Sequence, residues 1–311
     1  MICPAPARSL YGNRVTALRW ARILRQLGHR VTITQQYEGG NCLLIALHAS
    51  RSAGAVLKYT AAHPGRPVIV ALTGTDLYRD LARDPRAQRV VELADRLVAL
   101  QPLAARELSG RVRGKLRIIY QSARRTTGPH RPSPRHFDVC VVGHLREVKD
   151  PFRAALASRL LPKSSRVRVV QVGVAMDREM ARLARREQAQ NPRYRWLGEA
   201  PRWKARRIIA RSRLLVSSSV MEGGGNVISE AAVDQVPVLA SRIPGAVGLL
   251  GPGYPGYFPV GDTKALARLL ARAETDRAFY ANMKSWCTRL APLFDPRREA
   301  AAWDALLQEI T

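Results

Sequence analysis

The feature that most constrains the fold is a regular alternation of short apolar runs with amphipathic segments. Runs such as Val68–Leu72 are rich in Val, Ile and Leu, which is typical of strands buried on both faces of a parallel sheet. By contrast, Asn13–Leu27 predicts a helix, because its apolar residues recur at helical spacing. The residues of that predicted apolar face are Val15, Leu18, Ala21, Leu24 and Leu27. Strand–helix alternation of this kind predicts an α/β fold with parallel sheets.

Further apolar runs predict the remaining strands, and helices are expected between them. The predicted strands are Val31–Thr34, Cys42–Leu47, Val68–Leu72, Arg96–Leu100, Arg117–Tyr120, Val139–Val142, Val167–Gly173, Leu214–Ser219 and Pro237–Ser241. A first strand would have only Met1–Cys3 before Pro4, which indicates that the natural chain starts a few residues upstream.

The length of 311 residues exceeds what one hydrophobic core usually serves, so two domains are expected. Residues 122–136 are rich in Pro, Arg and small polar residues and predict a linker. We therefore expect one Rossmann-like domain over residues 1–121 and a second over residues 137–294. Residues 295–311 predict a C-terminal helix that crosses back to the first domain. Ligands are expected between the domains, at the carboxyl ends of the strands.

The charge balance favours an anionic partner, with 51 Lys and Arg against 24 Asp and Glu and a net charge of +27. The cations are scattered, however, and the aromatic residues, 6% of the chain, are spread out. We interpret the charge as an arginine-rich solvated surface and expect neither a nucleic-acid nor a membrane partner. A basic nucleic-acid-binding protein is the alternative from a different functional class.

The cysteines and the hydropathy pattern indicate the cellular compartment in which the protein is expected. Cys3, Cys42, Cys140 and Cys287 form no C-x-x-C pair and predict isolated thiols in a reducing compartment. No apolar run approaches the roughly 20 residues that a membrane-spanning helix needs. We therefore expect a cytoplasmic protein.

The segment MEGGGNVISEAA, residues 221–232, carries two carboxylates around a glycine-rich turn. Gly223–Gly225 predict a flexible turn, and the backbone amides leading into Asn226 can point from a helix N-terminus at a phosphate. Carboxylates such as those of Glu222 and Glu230 accept hydrogen bonds from sugar hydroxyls. The simpler alternative is that one glutamate only caps a helix.

A second turn, VVGHLREVKDP, has a glycine at a strand end with cations after it. Gly143 would let the backbone approach an anion, and His144, Arg146 and Lys149 would offset its charge. This pattern is weak by itself, because many strand–helix junctions carry a glycine and a lysine. The chain has no Asp-x-Asp pair, the usual bridge from a metal to a diphosphate, so no metal is predicted.

The spacing Glu222-x7-Glu230, followed by an apolar helix and PVLAS, resembles the family 4 nucleotide-sugar glycosyltransferases, which have two Rossmann-like domains facing across a cleft (GT-B architecture). The resemblance implies that Glu222 contacts the donor sugar and Glu230 the ribose. It also implies that Lys149 binds the diphosphate, and that His144 stands where the family has arginine, with Arg146 supplying charge. The implied donor-binding residues are Gly143, Glu222, Gly223, Gly224, Gly225, Asn226 and Glu230, and the implied catalytic residues are Lys149, Arg146, His144 and Glu222. No cofactor is implied.

Several segments narrow the resemblance. GNRVTALRWARILRQLGHRV, ALTGTDLYRD, VVGHLREVKDPFRAA, NPRYRWLGE and YPGYFPVGD are similar to segments of the selenosugar synthases of selenoneine biosynthesis. This implies transfer from a UDP-sugar, typically UDP-N-acetylglucosamine, to selenophosphate, giving a selenosugar, UDP and phosphate. A family 4 glycosyltransferase with a hydroxyl acceptor is the alternative within this family. A two-Rossmann epimerase or phosphorylase is a further enzyme alternative.

Polar residues of the first domain would then hold the acceptor. The candidates are Gly12, Asn13, Arg14, His48, Arg51, Thr73, Gly74, Thr75 and Asp76. A buried structural role for His48 and a helix-capping role for Asp76 are open alternatives. Trp196 and Trp203 are expected to pack in a core or hinge.

Overall fold

In the computed structural model, which describes residues 1–9 and 11–310, helices and parallel strands alternate along the chain. The strands are β1 Leu44–Leu47, β2 Val68–Leu72, β3 Arg96–Ala99, β4 Leu116–Ile118, β5 Phe137–Val142, β6 Val167–Val172, β7 Tyr194–Trp196, β8 Leu214–Ser217, β9 Val238–Ser241 and β10 Tyr257–Phe258. The helices are α1 Gly12–Gln26, α2 Ala53–Ala62, α3 Pro85–Leu93, α4 Gly110–Arg113, α5 Arg153–Arg159, α6 Arg178–Gln190, α7 Arg202–Arg211, α8 Asn226–Val233, α9 Pro244–Leu250, α10 Thr263–Thr275, α11 Arg277–Leu290 and α12 Pro296–Gln308. The prediction of an α/β fold with parallel sheets is confirmed.

The chain divides into two units, each with its own sheet. Unit 1 comprises Met1–Ser122, Glu222–Gly224 and Asp295–Thr311. Unit 2 comprises Ala123–Met221 and Gly225–Phe294. Leu10 and Thr311, the last residue of the predicted C-terminal helix, lie outside the described residues.

The sheet of unit 1 has the order β1-β2-β3-β4 and is covered on both faces. Alternate residues of β2 point to opposite faces, as pleated strands require. Val68, Val70 and Leu72 join the cluster that contains α2 and α3 residues. Ile69 and Ala71 join the cluster that contains α1 and α12 residues. This double burial explains why the strands are continuous apolar runs rather than alternating ones.

The predicted strand Val31–Thr34 is wrong as an element, because only Thr34 makes a bridge. Ile2 pairs in parallel with both Thr34 and Ala46, so Met1–Cys3 lies between Thr34 and β1. Pro4 follows at once, and proline has no N–H to continue the ladder. The local pattern predicted the extended chain there, but the ladder is too short to form a regular strand.

Helix α1 buries Ala21 and Leu24 as predicted, but its buried face is rotated away from Leu18 towards Trp20. Leu18 is 47% exposed, whereas Trp20 is fully buried. Trp20 packs edge-on against Trp303 of α12 with the ring centroids 4.8 Å apart. An aromatic pair buries more area than one leucine, so this contact sets the rotation of the helix.

Helix α12 packs into unit 1 through Trp303, Leu306 and Leu307. Its buried Glu299 accepts hydrogen bonds from the Trp20 indole at 2.8 Å and from the Ser122 amide at 2.9 Å. The Ser122 hydroxyl also donates to this carboxylate, and the Arg19 guanidinium forms an ion pair with it. A carboxylate buried here is tolerated because donors surround it.

The sheet of unit 2 has the order β10-β9-β8-β5-β6-β7, with every pair parallel. Its first strand, β5, therefore lies centrally, with β8 on one side and β6 on the other. This is the doubly wound order of nucleotide-binding sheets, whose switch point lies between β5 and β8. Strand β10 was not predicted from the sequence, because its two residues are too few to show an apolar pattern.

Residues 123–136 contain no helix or strand in the described chain, and they bind to unit 2. Thr126 donates its amide and hydroxyl to Asp234 at 2.7 and 2.6 Å. Arg206 donates to the Arg124 carbonyl at 2.9 Å. This segment is thus held by polar contacts rather than by secondary structure.

Candidate functional site

A cleft of about 330 Å³, including the solvent at its mouth, opens at the switch point of the unit 2 sheet. Strands β5 and β8 pair through Val139 with Leu214 and Cys140 with Leu215, and the cleft lies beyond their carboxyl ends. The chains leaving the two strands diverge there, which creates the opening. Its lining includes Gly143, His144, Lys149, Gln171, Ser217–Ser219 and Val227.

Glycines end the neighbouring strands at this edge. Gly143, after β5, and Gly173, after β6, have φ of +157° and +150°, values that favour glycine. A Cβ on Gly173 would overlap the carbonyl oxygen of Gly143. The Trp196 indole donates to the Gly173 carbonyl at 2.9 Å, which steadies this close approach. Gly173 was not predicted as a site residue, although its run ends in glycine as the run before Gly143 does.

The three predicted cations of this turn are placed differently. His144 and Lys149 line the cleft, whereas Arg146 is exposed and does not. Glu147–Lys149 form a 3-10 turn, closed by the Lys149 amide bonding to the Arg146 carbonyl at 2.9 Å. Two of the three predicted side chains, those of His144 and Lys149, are therefore placed to contact an anion in the cleft.

The serines after β8 form one wall of the cleft and were not predicted as site residues. The Ser218 hydroxyl donates to the Asp150 carbonyl at 2.8 Å, and the Val220 amide donates to the Val148 carbonyl at 2.9 Å. These bonds join the turn after β8 to the turn after β5. A polar triplet at the end of a buried strand was the signal available in the sequence.

The N-terminus of α8 reaches the same cleft through Val227. Its N-cap, Gly225, offers no side chain to the helix, and the first turn has no acid. The helix dipole therefore places uncompensated positive potential beside the cleft. Glu230, just over one turn further, is 6% exposed and pairs with Arg202, Oε1 to Nη2 at 2.9 Å.

Glu222–Gly224 belong to unit 1. A Cβ on Gly223 would clash with the Thr73 carbonyl, and one on Gly224 would clash with Leu100. Neither glycine, nor Gly225, is among the described residues with positive φ. The chain bends at Gly223 and Gly224 without positive φ, and both residues are small because backbone and side chain approach them closely.

The predicted acceptor residue Asp76 is fully buried, and its carboxylate is hydrogen-bonded to backbone amides. Its carboxylate accepts from the amides of Thr73 at 3.0 Å, Gly74 at 2.7 Å and Ala49 at 3.1 Å. These bonds tie the chain after β1 to the chain after β2. Asp76 therefore shapes this loop, and its bonds go to amides before the next helix rather than to the helix itself, unlike the capping role considered for it.

His48 is 3% exposed and has a left-handed backbone with φ of +72°. Its Nδ1 accepts from the Arg51 amide at 3.3 Å, so the ring proton lies on Nε2, 3.0 Å from the Thr75 hydroxyl. Burial lowers the pKa of His48, against the opposing effect of Asp76. The ring is thus neutral with both nitrogens engaged, and the exposed Arg51 contributes its backbone here.

Gly12, Asn13 and Arg14 open α1, which has no capping side chain and no acid in its first turn. The Arg14 guanidinium lies beside Cys3, whose pKa is raised mainly by burial. In the part of unit 1 that the structure describes, no hydrogen bond joins these three residues to His48 or Asp76.

Trp203 corrects another expectation. The side chain was expected to pack in a core or hinge, but the residue is 62% exposed at the start of α7. Trp196 is half-buried and bonds to Gly173. Among residues 1–9 and 11–310, no three His, Cys, Asp or Glu side chains converge as a metal site would require.

The sheet order defines a doubly wound α/β protein, and comparison with known families gives its class. Residues 128–286, just over half of the chain, match the family of glycosyl transferases group 1. The chain belongs to this family and is a glycosyltransferase. A search of curated proteins found no match.

Solved structures confirm the predicted GT-B fold. HepE from Anabaena, in complex with UDP-glucose, is 19% identical with a TM-score of 0.71, covering 86% of this chain and 79% of that one. Sucrose-phosphate synthase from Thermosynechococcus elongatus is 16% identical with a TM-score of 0.72, covering 99% of this chain and 82% of that one. Within the described residues, no helix is both long and apolar enough to cross a membrane.

Proposed function

We propose that the chain transfers a sugar from a UDP-sugar, and that the unit 2 cleft binds the donor diphosphate. The observation that best supports this is that Lys149 and the open N-terminus of α8 line one cleft at the switch point. Backbone amides and an ammonium stabilise the charge that develops on a leaving diphosphate. HepE, which shares the fold, has been solved with UDP and with UDP-glucose, which is consistent with this donor.

The remaining donor roles follow the family motif. Glu230 accepts hydrogen bonds from the ribose hydroxyls, and Glu222 accepts them from the hydroxyls of the donor sugar. Gly143, Gly223, Gly224, Gly225 and Asn226 let backbone approach the donor. Support comes from the burial of Glu230 next to the cleft-lining end of α8 and from Gly143 in the cleft lining. His144 assists Lys149 at the diphosphate.

We infer that the acceptor is selenophosphate, because the segments similar to selenosugar synthases extend along most of the chain. Selenium attacks the anomeric carbon of the sugar, typically N-acetylglucosamine, and the bond from that carbon to the UDP oxygen breaks. Water then adds to phosphorus, the P–Se bond breaks, and its electron pair stays on selenium. The products are a selenosugar, UDP and phosphate.

The state of His48 favours selenophosphate over a hydroxyl acceptor. A hydroxyl nucleophile gains from a general base with a free lone pair. His48, the only histidine among the predicted acceptor residues, has Nδ1 occupied and its proton on Nε2. Selenophosphate is already anionic and soft, and it needs no such base.

The proposed function is tested by anaerobic incubation with UDP-N-acetylglucosamine or UDP-glucose and fresh selenophosphate. Mass spectrometry should detect released UDP and a sugar product with the isotope pattern of selenium. Lys149→Met should lower kcat/KM about 100- to 1,000-fold, as expected for loss of one charge-stabilising donor. Lys163→Met, at an exposed lysine of unit 2, is the control and should leave the rate unchanged.

The outcomes separate donor from acceptor. UDP binding without a selenium product would reject selenophosphate and favour a hydroxyl acceptor. Absence of binding to any UDP-sugar would reject the donor assignment itself.

A further inference from the structure

Two arginines of α7 reach two carboxylates of the α8 segment, one helical turn apart. Arg202 pairs with Glu230 at 2.9 Å, and Arg206 pairs with Asp234 at 2.8 Å. Each pair joins the same two neighbouring stretches of unit 2. The first pair is nearer the beginning of both helices, and therefore nearer the cleft that Val227 lines.

In the Asp234 pair, both carboxylate oxygens accept hydrogen bonds from the protein. Its Oδ1 accepts from the Thr126 amide at 2.7 Å. Its Oδ2 accepts from the Thr126 hydroxyl at 2.6 Å and from Arg206 at 2.8 Å. Both oxygens of this carboxylate are therefore used within unit 2, as a purely structural ion pair would be.

In the Glu230 pair, only one of the two carboxylate oxygens accepts a hydrogen bond from the protein. Arg202 donates to Oε1, and no other described residue donates to Oε2. The Glu230 side chain is 8% exposed, whereas that of Arg202 is 47% exposed. Oε2 is not among the fully buried polar atoms, so this oxygen beside a ligand cleft is accessible to a hydroxyl donor on the ligand.

A guanidinium is suited to orient such a carboxylate. It is permanently charged, and the Arg202 Nη2 donates to Glu230 Oε1 at 2.9 Å, which fixes the position of that oxygen. With Oε1 held by Arg202, the side chain of Glu230 cannot rotate without breaking the ion pair. Oε2 is then kept in one direction before any ligand arrives.

We propose that Arg202 is a positioning residue that holds Glu230 for reading the ribose hydroxyls of the donor nucleotide. This inference rests on the donor role of Glu230 given under the proposed function. Arg202 acts through Glu230 and stabilises bound nucleotide only when the ribose has its hydroxyls. The same pair without this role would contribute to folding alone.

The test is calorimetric titration of the full chain with UDP, 2′-deoxy-UDP, 3′-deoxy-UDP and UMP. In the wild type, loss of a ribose hydroxyl should weaken binding about 10- to 100-fold, the effect of one hydrogen bond to a charged group. In Arg202→Gln, the preference for UDP over the deoxy nucleotides should shrink to about threefold or less. The preference for UDP over UMP should not change, and Arg202→Lys should restore part of the ribose preference.

Arg206→Gln is the matched control, because it removes the saturated pair from the same two segments. It should lower the unfolding temperature but leave the ribose preference as in the wild type. An unchanged ribose preference in Arg202→Gln would overturn the inference and leave the proposed function standing. A wild type that binds UDP without ribose preference would do the same, whereas no UDP binding at all would overturn both.

Discussion

His48 shows how one side chain can be defined by its surroundings. It lies at a strand end in unit 1 with both ring nitrogens in use and almost no exposure. Its left-handed backbone is rare for a residue with a Cβ. It is held by the hydrogen bond that the Arg51 backbone amide donates to the ring, and by the turn that follows. The ring is therefore part of the loop architecture.

We predict that His48 makes stability fall as the solution becomes acidic. Its pKa is lowered in the folded protein, so the unfolded chain binds more protons below about pH 6.5, the ordinary histidine value. The stability from the neutral ring is complete above that pH and is lost as pH falls toward the lowered pKa. Chemical unfolding at pH 7.5 and 5.5 should show a smaller pH effect in His48→Asn than in the wild type. His29→Gln, at an exposed histidine, should keep the wild-type pH effect.

Gly173 gives a second prediction for a single residue. Gly173→Ala forces a Cβ onto the Gly143 carbonyl at a φ of +150°, and neither backbone can move easily. We expect a loss of at least about 2 kcal/mol in the free energy of unfolding, together with weaker UDP binding. Urea unfolding and calorimetry measure the two effects. Gly110→Ala is the control, because open space surrounds that position; an equal loss there would contradict the steric explanation.

Among the elements, α12 is held most specifically. It combines the apolar contact of Trp303 with the buried Glu299, which gathers donors from α1 and from Ser122. Apolar burial supplies most of the free energy of such a contact, while the carboxylate fixes its register. The last helix of the chain is therefore part of the core of unit 1.

Removing the carboxylate should release this helix. Glu299→Ala leaves the Trp20 and Ser122 donors and the Arg19 charge without an acceptor, so we expect a loss of about 3–5 kcal/mol. Glu299→Gln keeps the shape and should lose less. Arg297→Ala, at an exposed position on the same helix, should change little. Thermal unfolding followed by near-UV dichroism of the buried tryptophans is the measurement, and equal losses in all three variants would argue against the network.

At the scale of the whole molecule, the two units differ in how the chain builds them. Unit 2 is nearly continuous over residues 123–294, whereas unit 1 needs residues from both ends of the chain. The arginine excess is partly used in ion pairs within each unit, as at Glu187, Asp138 and Glu309. Other cations bond to backbone instead, as Lys115 does to the Glu92 and Ala94 carbonyls.

This difference predicts the behaviour of fragments. A fragment of residues 123–294 should fold alone and bind UDP, because its sheet and cleft come from that stretch. A fragment of residues 1–122 should not fold, because its core lacks Trp303, Leu306 and Leu307. Adding residues 295–310 through a flexible linker should restore cooperative unfolding, observed by circular dichroism. A cooperatively folded 1–122 fragment would contradict the role given to α12.

Local pattern by itself determined the class of the fold and those strands that are buried on both faces, but not the bridge at Thr34 or the two-residue β10. Val68–Leu72 is a strand over the predicted residues because a doubly buried parallel strand must be apolar throughout. The strand–helix order predicted the α/β class, and the resemblance carried by the Glu222-x7-Glu230 spacing implied the GT-B fold, because both can be recognised within short stretches of chain.

Tertiary structure decided what depends on residues far apart in the chain. The close approach of Gly173 to Gly143, the rotation of α1 toward Trp303 and the pairing of Arg202 with Glu230 all join distant positions. Asp76 likewise became a loop-holding residue only when the chain after β1 came beside it. The physical reason is that periodicity reports which face of an element is apolar, whereas packing and hydrogen bonding choose the partner that covers it.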